Sequence, residues 1–424
     1  MNTDYFFKRG KVSFVMDGAA GSSGKSLLTS FLVEHSDKVN FLMSSFTPNA
    51  SHTVSNDDGS EYVFKIFAGG SQFHERLEAV YIVDNSAIEL ETLWKEMEYL
   101  KIPREKVRIS PRCAIVQQID KDFEAGLCDF HGNYYSEDEL GDGTILTGST
   151  CSGSGAVLAR KVVRNKLLKT AKDCPELKDM LYPMDEIVNR LDSGQCGLYE
   201  IAQGFPLSMN HHRFAPHTTS RNVTTSNALN DAMLPPSYCG HVFINLRTYP
   251  IKIHSKKYKD KVSGNFLTWE EVQSASPESY EVVESYSGDF YPDQHEMSWD
   301  EVTKMSGSPT KIMEVTTLTK LPRRIANFSK INLEEAVLFN NTGHRVFLSV
   351  NFMNYVVASI SGKRSFEEMT KDEQDMIDKW LSENINETVH RLKFRGVNVS
   401  MKYIGTGKLV NDKILVKSPL ASRR

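Results

Sequence analysis

The chain has 424 residues, of which 40% are hydrophobic and 25% charged, and a formal net charge of -4. These ordinary proportions exclude disordered, collagen-like and membrane-embedded classes. Without an excess of basic residues there is no overall attraction to nucleic acid or to an anionic membrane, so an anionic ligand has to be met by a local site.

Taken in chain order, the apolar run "VSFVM" (12 to 16) reads as a buried strand, and the stretch 24 to 35, beyond a Gly-rich turn, reads as a helix. "AVYIV" (79 to 83), "AIVQQI" (114 to 119) and "HVFINL" (241 to 246) read as further strands, while 86 to 100, 157 to 170 and 367 to 391 have helical spacing. Strand and helix in alternation predict an α/β fold with a central, mostly parallel sheet and helices on both faces. The Lys-rich "HSKKYKDKVSG" (254 to 264) and the Tyr- and Asp-rich "ESYSGDFYPDQHEMS" (284 to 298) read as solvated loops, with a phosphate-facing flap and a closing lid as their functional alternatives. The six cysteines are widely spaced with no C-x-x-C pair, as expected of free thiols in a reducing cytosol. Neither a signal peptide nor an apolar stretch of spanning length is present, so a cytoplasmic location without membrane or nucleic-acid partners is expected.

The turn after the first strand, "GAAGSSGKS" (18 to 26), has the context in which backbone N–H groups and a helix N-terminus hold phosphate oxygens. Lys25 would add a point charge to the phosphates and Ser26 could reach Mg2+. The strict G-x-x-x-x-G-K-[ST] pattern fails only at its first position, Ala19. Three more polar loops lie beyond this one: "PNASHTV" (48 to 54), "TGSTCSGSGAVLARKVVR" (147 to 164) and the segment from Ile201 to Thr225 that contains Gln203. Each is weak alone; a single His in a small-residue turn is more often structural than catalytic.

In their order these segments resemble the adenylosuccinate synthetase family over nearly the whole chain. The family's G-D-E-G-K-G-K loop looks like Gly21-Ser22-Ser23-Gly24-Lys25-Ser26, and its N-A-G-H-T looks like Asn49-Ala50-Ser51-His52-Thr53. Its G-[ST]-T-x-x-G-x-G loop matches Gly148 to Gly155 with the downstream Arg164, and its G-A-Q-G and P-x-V-T-S motifs match Ile201 to Gly204 and Pro216 to Ser220. Its T-T-G-R-P-R-R loop resembles Leu318 to Arg324, L-T-K-L-D resembles Val350 to Asn354, and I-S-T-G resembles Ile404-Gly405-Thr406-Gly407.

The resemblance implies one P-loop-like domain over 1 to 424 with insertions, and a ligation in which a purine nucleotide's 6-oxo group is phosphorylated and then displaced by the amine of L-aspartate. It implies that the positions of Ser22, Lys25, His52 and Gln203 act at the reacting purine, with Asn49, Thr150, Thr219, Thr319, Leu321 and Arg323 on the substrates. Arg164 would reach the 5'-phosphate in the partner subunit of a homodimer. The donor nucleotide would meet Ser23, Gly24, Lys25, Ser26, Ser51, Arg323, Asn351, Asn354, Gly405, Thr406 and Gly407, and Mg2+ would meet Ser22 and Ser51.

Three departures point to a particular substrate. Ser22 stands where the family has the aspartate that takes the purine N1 proton, and a serine is no base at neutral pH without an activating partner. A short neutral side chain leaves room for the 2-amino group of guanine. Leu321 replaces an arginine beside the ribose, which favours a deoxyribose. Asn354 replaces the aspartate that reads guanine in the donor, which points to ATP or dATP. The changes are similar to those in the phage members that make 2-aminoadenine DNA and use dGMP. Leu321 and Ser152 also remove two family arginines, leaving Thr319, Lys320, Arg323 and Arg324 to hold aspartate. An ordinary IMP- and GTP-using enzyme, a catalytically silent nucleotide-binding homologue and a P-loop nucleotide kinase are the competing readings.

Overall fold

The computed structural model describes residues 2–136, 150–252, 256–264, 267–284, 287–315 and 320–416. Nine strands form the central sheet: β1 (Val12–Asp17), β2 (Val39–Ser44), β3 (Ala79–Ile82), β4 (Val107–Ile109), β5 (Cys196–Gly204), β6 (Cys239–Arg247), β7 (Val346–Asn351), β8 (Val399–Gly405) and β9 (Lys413–Leu415). Their spatial order is β9-β8-β7-β6-β1-β5-β2-β3-β4, and every pairing is parallel except β8 with β9. The α/β expectation with a mostly parallel sheet is met.

Alternation along β1 divides the core between the two faces of the sheet. Val12, Phe14 and Met16 join Leu333, Ala336 and Val337 of the helix Lys330–Leu338 on one face. Val15 joins Leu28, Phe31 and Leu32 of helix α1 (Lys25–Glu34) on the other. Full burial of such a side chain contributes about 1.5–3 kcal/mol, so truncating Leu28 to Ala would cost about 2–5 kcal/mol and loosen the helix that follows the phosphate loop.

Chain order places β2, β3 and β4 on one side of β1 and β6, β7 and β8 on the other, with β5 inserted next to β1. The carboxyl ends of β5, β1 and β6 therefore diverge around a crevice, where open parallel sheets bind ligands.

Several predicted elements differ from those observed. Of the strand expected over 114 to 119 only Ala114–Ile115 pairs, and Gln118–Glu124 is a helix opened by a capping box of Gln117 and Asp120. A short apolar run does not by itself distinguish the two. The helix expected over 157 to 170 runs instead over Ser154–Val162, and the one expected over 367 to 391 is Lys371–Leu381 and Glu387–Phe394 joined by a π turn. Within the Lys-rich segment, Lys256–Asp260 is a strand paired antiparallel with Tyr280–Glu284. Within the Tyr- and Asp-rich segment, Glu296–Met297 pairs with Arg324–Ala326, and the Asp293 carboxylate accepts from Ser329 Oγ at 2.6 Å and Lys330 N at 2.8 Å. All six cysteines are free thiols. Among the described residues no helix is long and apolar enough to cross a membrane.

Candidate active site

The loop from Gly18 to Gly24 leaves β1 at its carboxyl end and turns through three positive-φ residues, Gly21 (+102°), Ser22 (+54°) and Gly24 (+78°). Its underside is held by the buried Asp17 carboxylate, which accepts from the backbone of Ala19 at 2.8 Å and of Ser23 at 3.1 Å. Asn245 Nδ2 donates to Ser23 O at 2.7 Å and to Ser23 Oγ at 2.9 Å, and Asn351 Nδ2 donates to Ser23 O at 2.8 Å. β5 ends tightly against this loop. A Cβ on Gly204 would lie 1.9 Å from Ala19 O, a contact that only glycine avoids.

Ser22 is exposed, while its carbonyl accepts from Arg247 Nη1 at 2.8 Å. Ser23 and Ser26 face inward: Ser26 Oγ donates to Glu200, whose other oxygen accepts from Gly69 N at 2.8 Å. Burial raises the Asp17 and Glu200 carboxyls above the usual carboxylate range, against the lowering pull of Lys25. The loop is thus positioned from below by Asp17, which directly precedes it, and by Asn245 and Arg247, which sequence spacing does not mark because a strand end from a distant part of the chain brings them here.

Lys25, itself buried, places its ammonium 3.4 Å from Nδ1 of His52. An ammonium has no lone pair, so Nδ1 is the acceptor. Burial, reinforced by Lys25, lowers the His52 pKa well below the ordinary value of 6.5, so the ring is neutral and its proton sits on Nε2. That Nε2 is buried and has no hydrogen-bond partner. An orphaned buried donor beside a phosphate loop is matched to a ligand oxygen. Gln203, at φ +63° near the end of β5, donates from Nε2 to Asn49 Oδ1 at 3.4 Å, so the amide pair and the imidazole occupy one side of the crevice.

Thr150 is exposed and bonded to Ser152, which bonds to Ser154, which in turn accepts from Asn49 N at 3.2 Å. This chain of hydroxyls ties the second Gly/Ser loop to the turn that carries Asn49. The N–H groups of Gly153, Gly155 and Ala156 all donate to the Glu124 carboxylate, so this helix start is occupied by a side chain of the protein. Arg164 is exposed at φ +56° just beyond the helix, beside Val162 and Val163, which are 81% and 57% exposed. Thr219 is half-buried, with its N–H donating to Leu207 O at 2.7 Å, and Ser51 is exposed. Thr319 lies outside the described residues.

On the donor side, Asn351 is buried and spans Ser23 O, Gly24 O at 3.2 Å and the Lys413 ammonium at 3.0 Å. Thr406 is also buried, donating to Lys363 O at 2.6 Å between Gly405 and Gly407. Asn354 presents a buried Oδ1 without a partner. Leu321 is buried and Arg323 half-buried. Sequence reasoning missed a cluster here: the fully buried Arg247 pairs with Glu314, Tyr355 OH donates to Glu314 at 3.0 Å, and the Phe352 ring lies 4.5 Å from the Arg247 guanidinium. Arg323 N donates to Glu314 O at 2.9 Å, so this cluster links the phosphate loop to the arginine loop.

An edge of this kind is suited to transferring a phosphoryl group to a neutral oxygen, which places the chain among nucleotide-dependent phosphoryl-transfer enzymes. No family model matches the chain. The N6-succino-2-amino-2'-deoxyadenylate synthase of Acinetobacter phage SH-Ab 15497 is 30% identical over 375 residues, covering 81% of this chain and 84% of that one. The synthase of the same name from Salmonella phage PMBT28 is 27% identical and covers 95% and 96%. The chain belongs to the adenylosuccinate synthetase family of carbon–nitrogen ligases and groups there with the phage N6-succino-2-amino-2'-deoxyadenylate synthases. Among solved structures it is similar to the succinoaminodeoxyadenylate synthetase of cyanophage S-2L bound to dGMP and to dATP as energy donor, with TM-score 0.70, 26% identity and 96% of each chain covered. The adenylosuccinate synthetase of Plasmodium falciparum shares the fold at TM-score 0.67 and 13% identity, with 96% of this chain and 100% of that one covered.

Proposed function

We propose that the chain joins L-aspartate to C6 of dGMP with ATP or dATP as donor, giving N6-succino-2-amino-2'-deoxyadenylate, ADP or dADP, and phosphate. The observation that carries this reading is the exposed Ser22 at the left-handed bend of the phosphate loop, in a chain similar over 96% of its length to a phage synthase bound to dGMP and dATP. A 6-oxo oxygen is a poor leaving group. Phosphorylation at O6, with the N1 proton released to solvent, makes it a good one, and the aspartate amine then forms the new bond at C6 as phosphate departs and the amine gives up a proton to the departing phosphate.

In this scheme Lys25 offsets charge on the transferring group, and the Nε2–H of neutral His52 donates to O6 as charge develops there. Gln203 and Asn49 orient the base, and the Ser22 hydroxyl accepts from the 2-amino group. Thr150 and Thr219 hold the 5'-phosphate, while Leu321 packs against a sugar without a 2'-hydroxyl. Thr319 and Arg323 meet aspartate. The unpartnered Oδ1 of Asn354 accepts from the N6 amine of an adenine donor, and Ser23, Gly24, Ser26, Asn351, Gly405, Thr406 and Gly407 shape the donor's bed.

The nearby acids Asp17 and Glu200 are engaged by the loop backbone, Ser26 and Gly69. Of the residues expected at Mg2+, Ser22 and Ser51 are exposed, a donor set that fits a cation held mainly by substrate phosphates and water, while the Ser26 hydroxyl is turned to Glu200. Mg2+ bound there would neutralise phosphate charge. The exposed Arg164 and its apolar neighbours Val162 and Val163 support a homodimer in which Arg164 enters the partner's site, and the reading places the enzyme in the cytoplasm.

The test is incubation with dGMP, GMP or IMP together with aspartate and ATP, with products identified by mass. An aspartate-dependent product from dGMP, with 18O at O6 of dGMP recovered in phosphate, is expected. Product from IMP alone overturns the reading.

A further inference from the structure

At the end of the sheet opposite the phosphate loop, the amino ends of β6, β7 and β8 meet the N-terminal turn. They enclose a cleft of about 340 Å3 lined by Tyr5, Lys8, His241, His344, Arg345 and Asn398. Lys8 Nζ lies 3.5 Å from His344 Nδ1, and His241 Nδ1 accepts from Arg345 N at 3.3 Å. Two more basic residues lie on the neighbouring strands: Lys402 stands on β8 with its ammonium 5.8 Å from the Phe347 ring, and Lys11 leads into β1. Among the described residues none of Lys8, Lys11, Arg345 and Lys402 forms an ion pair, whereas Arg104, Arg108, Arg190, Arg364 and Arg391 elsewhere on the surface all do.

Among the described residues the charges in the cleft act on one another without a compensating acid. Burial and then Lys8, His344 and Arg345 push the His241 pKa down to about 4. Burial, Lys8 and Lys11 lower that of His344, and burial and Arg345 lower that of Lys402. Among the described residues no carboxylate opposes these effects. Concentrating basic groups in a concave site of a chain with net charge -4 is unfavourable by itself, and a multiply charged anion would relieve it.

We propose that this cleft is a second anion site, remote from the ligation chemistry, that takes a small molecule bearing a diphosphate group. Lys8 and Arg345 supply charge-assisted donors, the neutral His344 and the amide of Asn398 complete the hydrogen bonding, and the Tyr5 ring gives an apolar wall for the body of the ligand. A volume of about 340 Å3 is at the lower end of small-ligand sites, which suits a diphosphate with a short appendage.

The experiment follows the imidazole resonances of His241 and His344 in the full-length protein during titration with inorganic pyrophosphate, with dGMP and ATP in separate runs. Lys8→Gln/Arg345→Gln serves as the variant; both residues are exposed and lie outside the ligation site. Pyrophosphate is expected to shift both resonances with saturation, and the double substitution to weaken it by about tenfold for each charge removed, with kcat/KM for ligation unchanged. A response that does not saturate, or that survives the double substitution, overturns the proposal. This outcome is independent of which purine the active site uses, because the readout is at the cleft and not in turnover.

Discussion

The Lys25 ammonium, 3.4 Å from Nδ1 of His52, fixes the imidazole as the tautomer with its proton on Nε2. Two nitrogens that sequence treats as equivalent thereby acquire separate tasks, one accepting from the phosphate-binding lysine and the other donating into the site.

His52→Gln, whose amide nitrogen reaches the Nε2 position, is expected to retain more activity than His52→Asn or His52→Ala. Loss of the donor should lower kcat by about 10²–10³, measured as phosphate release. The native pKa lies below the unfolded value of 6.5, so the unfolded chain binds the extra proton first as pH falls. The stability contribution of neutral His52 is present above 6.5 and is lost as pH falls through the native pKa. Urea unfolding of His52→Gln should show a weaker loss in that window.

Ser22→Asp should fold normally, since aspartate tolerates the left-handed conformation seen at φ +54°. Placing a carboxylate at the purine edge is expected to lower kcat/KM for dGMP by roughly tenfold or more. Comparison of dGMP and IMP turnover by product mass checks this. An increase with dGMP would remove Ser22 as the determinant of base choice.

Asn354→Asp exchanges a neutral acceptor for a carboxylate at the donor base. The ratio of GTP to ATP use should rise by about 10–100-fold, read from phosphate release at saturating dGMP and aspartate.

Gly204→Ala drives a methyl group to within 1.9 Å of Ala19 O unless β5 or the loop moves. The expected result is a loss of about 1–3 kcal/mol in stability, together with a raised KM for the donor. A normal KM with reduced stability would show that the strain is relieved away from the loop.

Burial pushes Lys413 down to about 7, while the unfolded residue titrates near 10.5. Between these values the unfolded state carries more protons, so stability climbs as pH rises through that interval and is lower below it. Lys413→Met should flatten this part of the profile in denaturant unfolding measured across the same pH range.

The loop "GAAGSSGKS" and the strands at 12 to 16 and 241 to 246 were legible because apolar runs and glycine spacing are local properties. The same signal misread 114 to 119, where the capping pair Gln117 and Asp120 turns the chain into a helix. Arg247 and Glu314 left no local mark, since an arginine closing an apolar strand reads as a surface residue until β6 places it under the phosphate loop.

The sequence by itself determined the parallel α/β class, the phosphate loop, and the residues Ser22, Leu321 and Asn354 that separate this chain from the family pattern. Tertiary structure decided what those types do. It buried Asn351 and Ser23 as supports of the loop, left Ser22 exposed, and set Lys25 against one nitrogen of His52. The physical reason is that residue type fixes the available donors, acceptors and charges. Burial and the orientation of a partner from a distant strand fix which of them are occupied and which are left to meet a ligand.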